Sequence, residues 1–437
     1  MDGMSEKVNK GGSSVFDFVT YRVRTECRLC GSGELHEAMQ LHATPLGDRY
    51  LPPGRGANNA RLVPLEIVQC EVCDNFQTSC VVEASDIYES YLSRPGAVNT
   101  ELSSAYSRYA EDLEVLSGIC LGDLVVELGS NDGLFASFFA AKGFRCLGVD
   151  PAVNLAETAR SRGVETVSNF FSAALAHELV KAHGTAKVVV ANFMVANVDD
   201  LDDFMSGVST ILDAKGVFGM ETNYVCDVVQ HELIETLNHE HLNYFSIASL
   251  NRFFGKHGLE LFDVERVPSK GGSIRCFVQH KGAEHTVTKA VADALLFERS
   301  QGVATAGSWE RFAQSLKHAR RSVISFCSQQ EPQSIVGYGT SIGATTLIYQ
   351  LGLGPYLNLL VDDDPFRQGL ESPGFGIPTV GPEVAFQGID KASACVVLAP
   401  QYVNQIVEKN TSARNAGVDF YRVWPHLELA PKGEWWR

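Results

Sequence analysis

Four cysteines fall in two pairs: Cys27-Arg-Leu-Cys30 and, about forty residues later, Cys70-Glu-Val-Cys73. Two residues between thiols let a tight knuckle aim both sulfurs at one ion, and two knuckles supply the tetrahedral thiolate set that zinc prefers. Gly31 follows the first pair, where such a turn favours a positive φ. A redox dithiol or unligated thiols are the alternatives. Zinc also explains how a segment rich in turns such as Pro52-Pro53-Gly54 folds, because the metal replaces a core it cannot build. Four thiolates leave no open coordination position, so Cys27, Cys30, Cys70 and Cys73 are expected to hold a structural metal.

A second group is Leu124-Val-Val-Glu127-Leu-Gly129-Ser-Asn131-Asp132-Gly133, followed by Cys146-Leu-Gly-Val-Asp150. An apolar run, a glycine turn and an amphipathic helix make the first βα unit of a doubly wound sheet. Asp150 comes 21 residues after Gly129, the distance at which such an acid reaches ribose hydroxyls. A dinucleotide turn needs a middle glycine so that the backbone can touch a pyrophosphate. Asn131 occupies that place, and Glu127 and Asp132 flank the loop with charge that repels phosphate. S-adenosylmethionine (SAM) carries a sulfonium and an ammonium instead, so the loop favours SAM over NAD.

The third group is Asn238-His239-Glu240-His241-Leu-Asn-Tyr244-Phe-Ser. On an extended segment His239 and His241 would share one side and Glu240 the other. A neutral histidine is the usual proton acceptor near pH 7. A spacing of two is not that of the helical zinc hydrolases, and packed histidines near a helix cap are the bland alternative. Lys270-Gly-Gly-Ser273-Ile-Arg275 lies between two β-like runs and fits a hairpin turn or a phosphate-holding loop.

These groups need a frame. Lys187 to Ala191 and Gly216 to Glu221 read as further strands of the same sheet. Asp86 to Leu116 and Glu284 to Arg321 are mostly helical in pattern. Ser334-Ile-Val-Gly337-Tyr338-Gly339-Thr-Ser-Ile-Gly343, then Leu359 to Pro365 and Ala394 to Leu398, form a second α/β unit. The expected class is therefore α/β: a disordered lead-in over 1–20, a zinc-binding domain over 21–85, a Rossmann-like SAM domain over 86–285 and a second Rossmann-like domain over 286–437. The chain has 437 residues, a net charge of −16 and a pI near 5.2. That charge argues against a nucleic-acid binder. No stretch approaches a membrane span, and the scattered single cysteines suit a reduced, cytoplasmic compartment. A small-molecule enzyme, monomeric or homodimeric, is the expectation.

The ordered set of motifs resembles the sugar C-methyltransferases of deoxysugar biosynthesis over about Cys27 to Trp424. The carrying residues are the four cysteines, Glu127-Leu-Gly-Ser-Asn-Asp-Gly133, His239-Glu-His-Leu-x-Tyr-Phe-Ser246, Gly271-Gly-Ser-x-Arg275, and the C-terminal Gly-Tyr-Gly and Asp-x-x-Pro. The resemblance implies SAM and structural zinc as cofactors and a nucleotide-linked 4-keto-deoxysugar as substrate. It implies an enolate route, in which a base removes the proton beside the ketone and the carbon then takes the methyl group. By resemblance the cofactor falls to Glu127, Gly129, Asn131, Asp132, Gly133, Asp150, Pro151 and Asn192. The substrate falls to Tyr91, Tyr244, Lys270, Ser273, Arg275 and Tyr338. Catalysis falls to His241 as base, with Glu240, His239, Asn238 and Asn197. The chain departs from the family pattern at Asn197 and Lys270, where histidines are usual, and at Asn238 and Ser93, where tyrosines are usual. All four positions are expected at the sugar and not at SAM.

Overall fold

The computed structural model describes residues 19–55, 60–88, 100–302, 305–387 and 393–430. Tyr91 and Ser93 lie outside them. The N-terminal segment supplies five short strands: β1 (Tyr21–Val23), β2 (Leu35–Gln40), β3 (Glu66–Cys70), β4 (Phe76–Thr78) and β5 (Cys80–Val82). β1 pairs with β5, and β2, β3 and β4 form an antiparallel ladder. The second knuckle, Cys70 to Cys73, is the turn between β3 and β4. The metal site is thereby built into the end of the hairpin.

The middle of the chain carries β6 (Leu124–Leu128), β7 (Arg145–Val149), β8 (Glu165–Val167), β9 (Ala186–Asn192), β10 (Leu212–Asn223), β11 (Asn243–Tyr244), β12 (Leu259–Val267) and β13 (Ser273–His280). Seven of them form one sheet in the order β12-β13-β10-β9-β6-β7-β8. β6 to β10 lie parallel, and β13 runs antiparallel to β10 and β12. Every residue of β6 is buried, as expected of a parallel strand covered on both faces. β6 lies between β7 and β9, so the winding reverses there. The crevice beyond the carboxyl ends of β6 and β9 is where such a sheet holds its ligand.

The C-terminal sheet comprises β14 (Ile335–Tyr338), β15 (Leu357–Val361), β16 (Thr379–Val380), β17 (Ala394–Val397), β18 (Asp419–Arg422) and β19 (Glu428–Leu429), in the order β16-β15-β14-β17-β18-β19. It is parallel except for β19, and its winding reverses beside β14. The α/β class with two Rossmann-like sheets and an N-terminal cysteine cluster is what the sequence predicts. β8 and β16 escape prediction because strands of three and two residues show no period. The Lys270 segment is the hairpin connection between β12 and β13.

Two features bind the units together. β11, which follows the His-Glu-His segment, adds to the N-terminal ladder by pairing Asn243 with Gln77 and Tyr244 with Phe76. Trp309, on the helix Ala306–Cys327, packs its ring 5.4 Å from Phe76 and 6.0 Å from Tyr244. One core cluster therefore draws buried residues from all three regions, including Leu65, Phe218 and Leu347. Truncating an aromatic anchor of this kind costs about 3–5 kcal/mol.

Candidate functional site: a metal knuckle pair and a cavity between two nucleotide-type turns

The two knuckles have the same backbone construction. Gly31 N–H donates to the Cys27 carbonyl at 2.9 Å, and Asp74 N–H donates to the Cys70 carbonyl at 3.0 Å. The residue after each pair, Gly31 at φ +75° and Asp74 at φ +57°, takes the left-handed turn. All four Sγ atoms lie within 4.8 Å of one another. Cys27 and Cys73 approach to 3.5 Å, and Cys30 and Cys70 to 3.6 Å. A tetrahedron with Zn–S of about 2.3 Å has S–S edges of roughly 3.8 Å, so the four thiols fit zinc as they stand. They are not disulfides, and Cys80 stays apart as a buried free thiol.

The larger site is a cavity of about 690 Å³ at the carboxyl ends of both Rossmann-like sheets. Glu127, Gly129, Asn131, Asp132, Asp150, Pro151 and Asn192 line it. Glu127, next to last in β6, accepts the Ala136 N–H on its Oε2 at 3.0 Å. Burial pushes its carboxyl well above the ordinary range, and the neighbouring Asp132 and Asp150 push it further. A cation between these acids would relieve that cost, so the donor set fits SAM. Asp150 holds the loop, accepting the Asn131 N–H on Oδ2 and the Ala152 N–H on Oδ1, each at 2.8 Å. The Asn192 side-chain amide is buried on the wall with neither of its polar atoms paired among the described residues. A ligand's polar groups would satisfy it. Gly133 is off the wall. Its φ is +73°, and a Cβ there would meet Ala159 Cβ at 2.9 Å, so close helix packing demands that glycine.

The His-Glu-His segment is a bend and not an extended strand, which corrects the expected alternation. Asn238 Oδ1 folds it by accepting the N–H of Glu240 at 3.0 Å and of His241 at 3.3 Å. His239 and Glu240 both reach the cavity wall, whereas Asn238 and His241 do not. The His239 ring bonds the Pro64 carbonyl at 3.1 Å. His241 Nδ1 lies 2.8 Å from the Thr236 carbonyl, which only an N–H can satisfy, so Nε2 keeps its lone pair. Burial and the nearby Lys270 ammonium lower His241 to about 4, and it is neutral at pH 7. Asn197 is on the wall with its Oδ1 unpaired among the described residues.

Of the expected substrate residues with a described position, Lys270 lines the cavity. Its ammonium sits 3.7 Å from the centre of the Phe193 ring, and burial lowers it to about 8. The others are spent on the scaffold. Arg275 pairs with Glu221 at 2.7 Å, and Ser273 Oγ donates to the Ser269 carbonyl at 2.9 Å. The Tyr244 hydroxyl donates to the Thr236 carbonyl at 3.2 Å, and that of Tyr338 to Asp363 at 3.0 Å. The sequence reading missed Thr340, Ser341, Asp362 and Asp364, which reach the same cavity from the C-terminal sheet. Tyr88, Phe193, Met194 and Asp199 were missed as well. The second glycine turn pointed to the first set, but nothing in the sequence aimed it at the first turn's ligand.

Residues 27–88 match a zinc binding domain, residues 100–264 a methyltransferase domain, and residues 268–425 the C-methyltransferase C-terminal domain. The C-methyltransferase NovU of Streptomyces niveus is 32% identical over 389 residues, which cover 88% of this chain and 91% of that protein. The chain belongs to the C-methyltransferase family. It is a SAM-dependent enzyme with a zinc-binding N-terminal region. Among solved structures it is similar to a SAM-dependent methyltransferase from Clostridium acetobutylicum (13% identity, TM-score 0.33, 43% of this chain and 94% of that one). It is also similar to a magnesium protoporphyrin IX methyltransferase from Synechocystis solved with SAH (14% identity, TM-score 0.33, 43% and 90%). No helix among the described residues is long and apolar enough to cross a membrane.

Proposed function

We propose that this C-methyltransferase acts on a nucleotide-linked 4-keto-deoxysugar, methylating the carbon beside the ketone through an enolate. The carrying observation is that one cavity is edged by two nucleotide-type turns. The β6 turn suits the nucleoside of SAM. The β14 turn, with Thr340 bonded to Asp362 and Ser341 capping the helix Ile342–Leu351, offers the Ser341 hydroxyl and a helix N-terminus to a second nucleotide. SAM supplies an electrophilic methyl group. Everything else falls to the chain's own side chains. His241, not itself on the wall but flanked in the chain by the wall residues Glu240 and Leu242, takes the α-proton on Nε2 through one bridging water while Thr236 holds its Nδ1–H. Charge then develops on the ketone oxygen, where the Lys270 ammonium stabilises it, and Asn197 and Asn238 orient the groups. Such a step belongs to the making of branched deoxysugars for natural products or surface polysaccharides, in the cytoplasm.

The cavity also favours a second reading. Carboxylates crowd its wall, whereas Arg367 and Arg22, two of its three cationic side chains, are already paired with Asp48 and Asp199. That excess of negative charge favours an acceptor without a diphosphate. A thermal-shift screen with SAM and several nucleotide diphosphosugars separates the two, since indifference to every sugar nucleotide would leave only the second. For the mechanism, His241→Gln is expected to abolish turnover while SAM affinity stays nearly unchanged. Surviving turnover would remove His241 as the base.

A further inference from the structure

Arg28 lies inside the first knuckle, between Cys27 and Cys30, with its side chain fully buried. Its backbone N–H is held by Gln77 Oε1 at 2.9 Å. Its guanidinium leaves the metal site and enters the enzyme. Nε donates to Asp199 Oδ1 at 2.9 Å, and Nη1 donates to the carbonyls of Thr78 at 2.8 Å and Leu242 at 3.3 Å. Asp199 and Leu242 both line the cavity, the first two residues beyond Asn197 and the second directly after His241. The same two stretches are tied to each other by the Leu242 N–H to the Ala196 carbonyl at 2.8 Å and by Asn243 Nδ2 to the Val198 carbonyl at 3.1 Å.

We infer that Arg28 is a positioning residue for methyl transfer: the metal-held knuckle fixes its guanidinium, and the guanidinium keeps the 197–199 and 239–242 segments of the cavity wall in register. The residue type fits the task. A planar fork bonded to a carboxylate and two carbonyls has one orientation, which a lysine ammonium could not reproduce. Transfer to carbon needs the base, the acceptor carbon and the methyl donor aligned, and an error of about 1 Å costs as much as 10²-fold. The knuckle that holds the metal, which takes no part in the chemistry, thus reaches the wall through the Arg28 side chain. Arg22 and Arg24 add to the same hub, the latter donating to Asp199 Oδ1 at 3.2 Å.

The test is Arg28→Met, which keeps all four thiols and the side-chain bulk but removes every donor. Native mass spectrometry reads zinc content, calorimetry reads SAM affinity, and hydrogen exchange reads the wall. One zinc per chain is expected to remain, with SAM affinity within about threefold of the parent. Exchange across 196–200 and 239–244 is expected to quicken about tenfold or more, while the 129–133 loop stays unchanged. With an acceptor that turns over, kcat falls about 10–100-fold at an unaltered KM for SAM. Unchanged exchange in both wall segments, with zinc retained, would overturn the inference. So would a uniform increase that includes 129–133, since Arg28 would then be a general stabiliser. If Arg28→Met does not fold, Asp199→Asn decides by the same readings: faster exchange over 196–200 supports the brace, and none overturns it. Exchange and SAM binding need no acceptor, so this outcome is distinct from that of the substrate proposal.

Discussion

The two Rossmann-like sheets end in turns that share one set of bonds and differ in what those bonds enclose. At the first, Gly129 N–H donates to the Val149 carbonyl at 2.8 Å, and Asp150 accepts the Asn131 and Ala152 N–H groups. At the second, Gly339 N–H donates to the Val361 carbonyl at 2.8 Å, and Asp362 accepts the Thr340 and Asp364 N–H groups, each at 2.9 Å. The differences lie around that common frame. Two residues before the turn glycine, the first strand carries the buried Glu127, whereas the second carries Gly337, where a Cβ would meet Leu398 and Leu360 at 2.8 and 2.9 Å. The first turn reaches its helix through Asn131-Asp132-Gly133, and the second passes directly to the helix capped by Ser341. A long, acid-bearing turn suits a cationic ligand. A short turn that brings the Ser341 hydroxyl and a helix N-terminus to the cavity suits an anionic one.

Exchanging the roles of the two acids is the strongest way to break this contrast. Asp150→Ala frees two loop N–H groups and removes the carboxylate expected to accept ribose hydroxyls, so SAM affinity is expected to fall about 100-fold, the equivalent of roughly 3 kcal/mol. Affinity for a nucleotide diphosphosugar stays near the parent value. Asp362→Ala is expected to do the reverse. Calorimetric titration of both ligands into both variants measures all four affinities. If both variants lose SAM alike, the turns do not serve separate ligands.

A smaller effect sharpens what lies between the turns. Burial holds the Lys270 ammonium down to about 8, the attraction of Glu221 and Glu240 notwithstanding, while burial and Lys270 hold His241 down to about 4. Lysine is charged below its pKa and histidine is neutral above its own, so both are in their working forms from about pH 5 to 7. Turnover is expected to be level there and to fall roughly tenfold per unit once the pH passes about 8. In Lys270→Met the rate is lower at every pH and this alkaline limb disappears. A limb that persists in the variant would assign it to another group.

The sequence was informative where function depends on near neighbours in the chain. Two knuckles of four residues, and a glycine turn with an acid 21 residues on, are local patterns, and each keeps its geometry in the structure. It was misleading where residue type was read without its partner. Arg275 and Ser273 sit in a glycine-rich motif, yet they answer to Glu221 and to the hairpin backbone. Gly272 itself is required because a Cβ would come within 2.4 Å of Asp227 Cβ, not because a phosphate approaches. The meeting of Asp150 with Asp362 in one cavity, or of Arg28 with Asp199, spans 212 and 171 residues of chain. No periodicity or spacing carries such distances. The tertiary contacts that create them, Trp309 on the N-terminal ladder and β11 added to its edge, read in the sequence as an ordinary core aromatic and a two-residue strand.

The smallest difference between the turns is steric, and it can be measured without any ligand. Gly133 and Gly339 both hold positive φ, at +73° and +115°, so an alanine at either is strained by about 1–2 kcal/mol. Only the first is also crowded. At Gly133 the new methyl would lie 2.9 Å from Ala159 Cβ and 3.0 Å from Ala159 Cα, and both belong to a neighbouring helix that cannot swing aside like a long side chain. At Gly339 the nearest atoms are 3.6 Å away, ordinary contact. Gly133→Ala is therefore expected to cost about 1 kcal/mol more than Gly339→Ala, the overpacking added to a common backbone strain. Urea titration followed by the signal of the buried tryptophans compares the two. Equal losses would mean that the first turn yields as readily as the second, and that its length reflects no tighter packing of helix against helix.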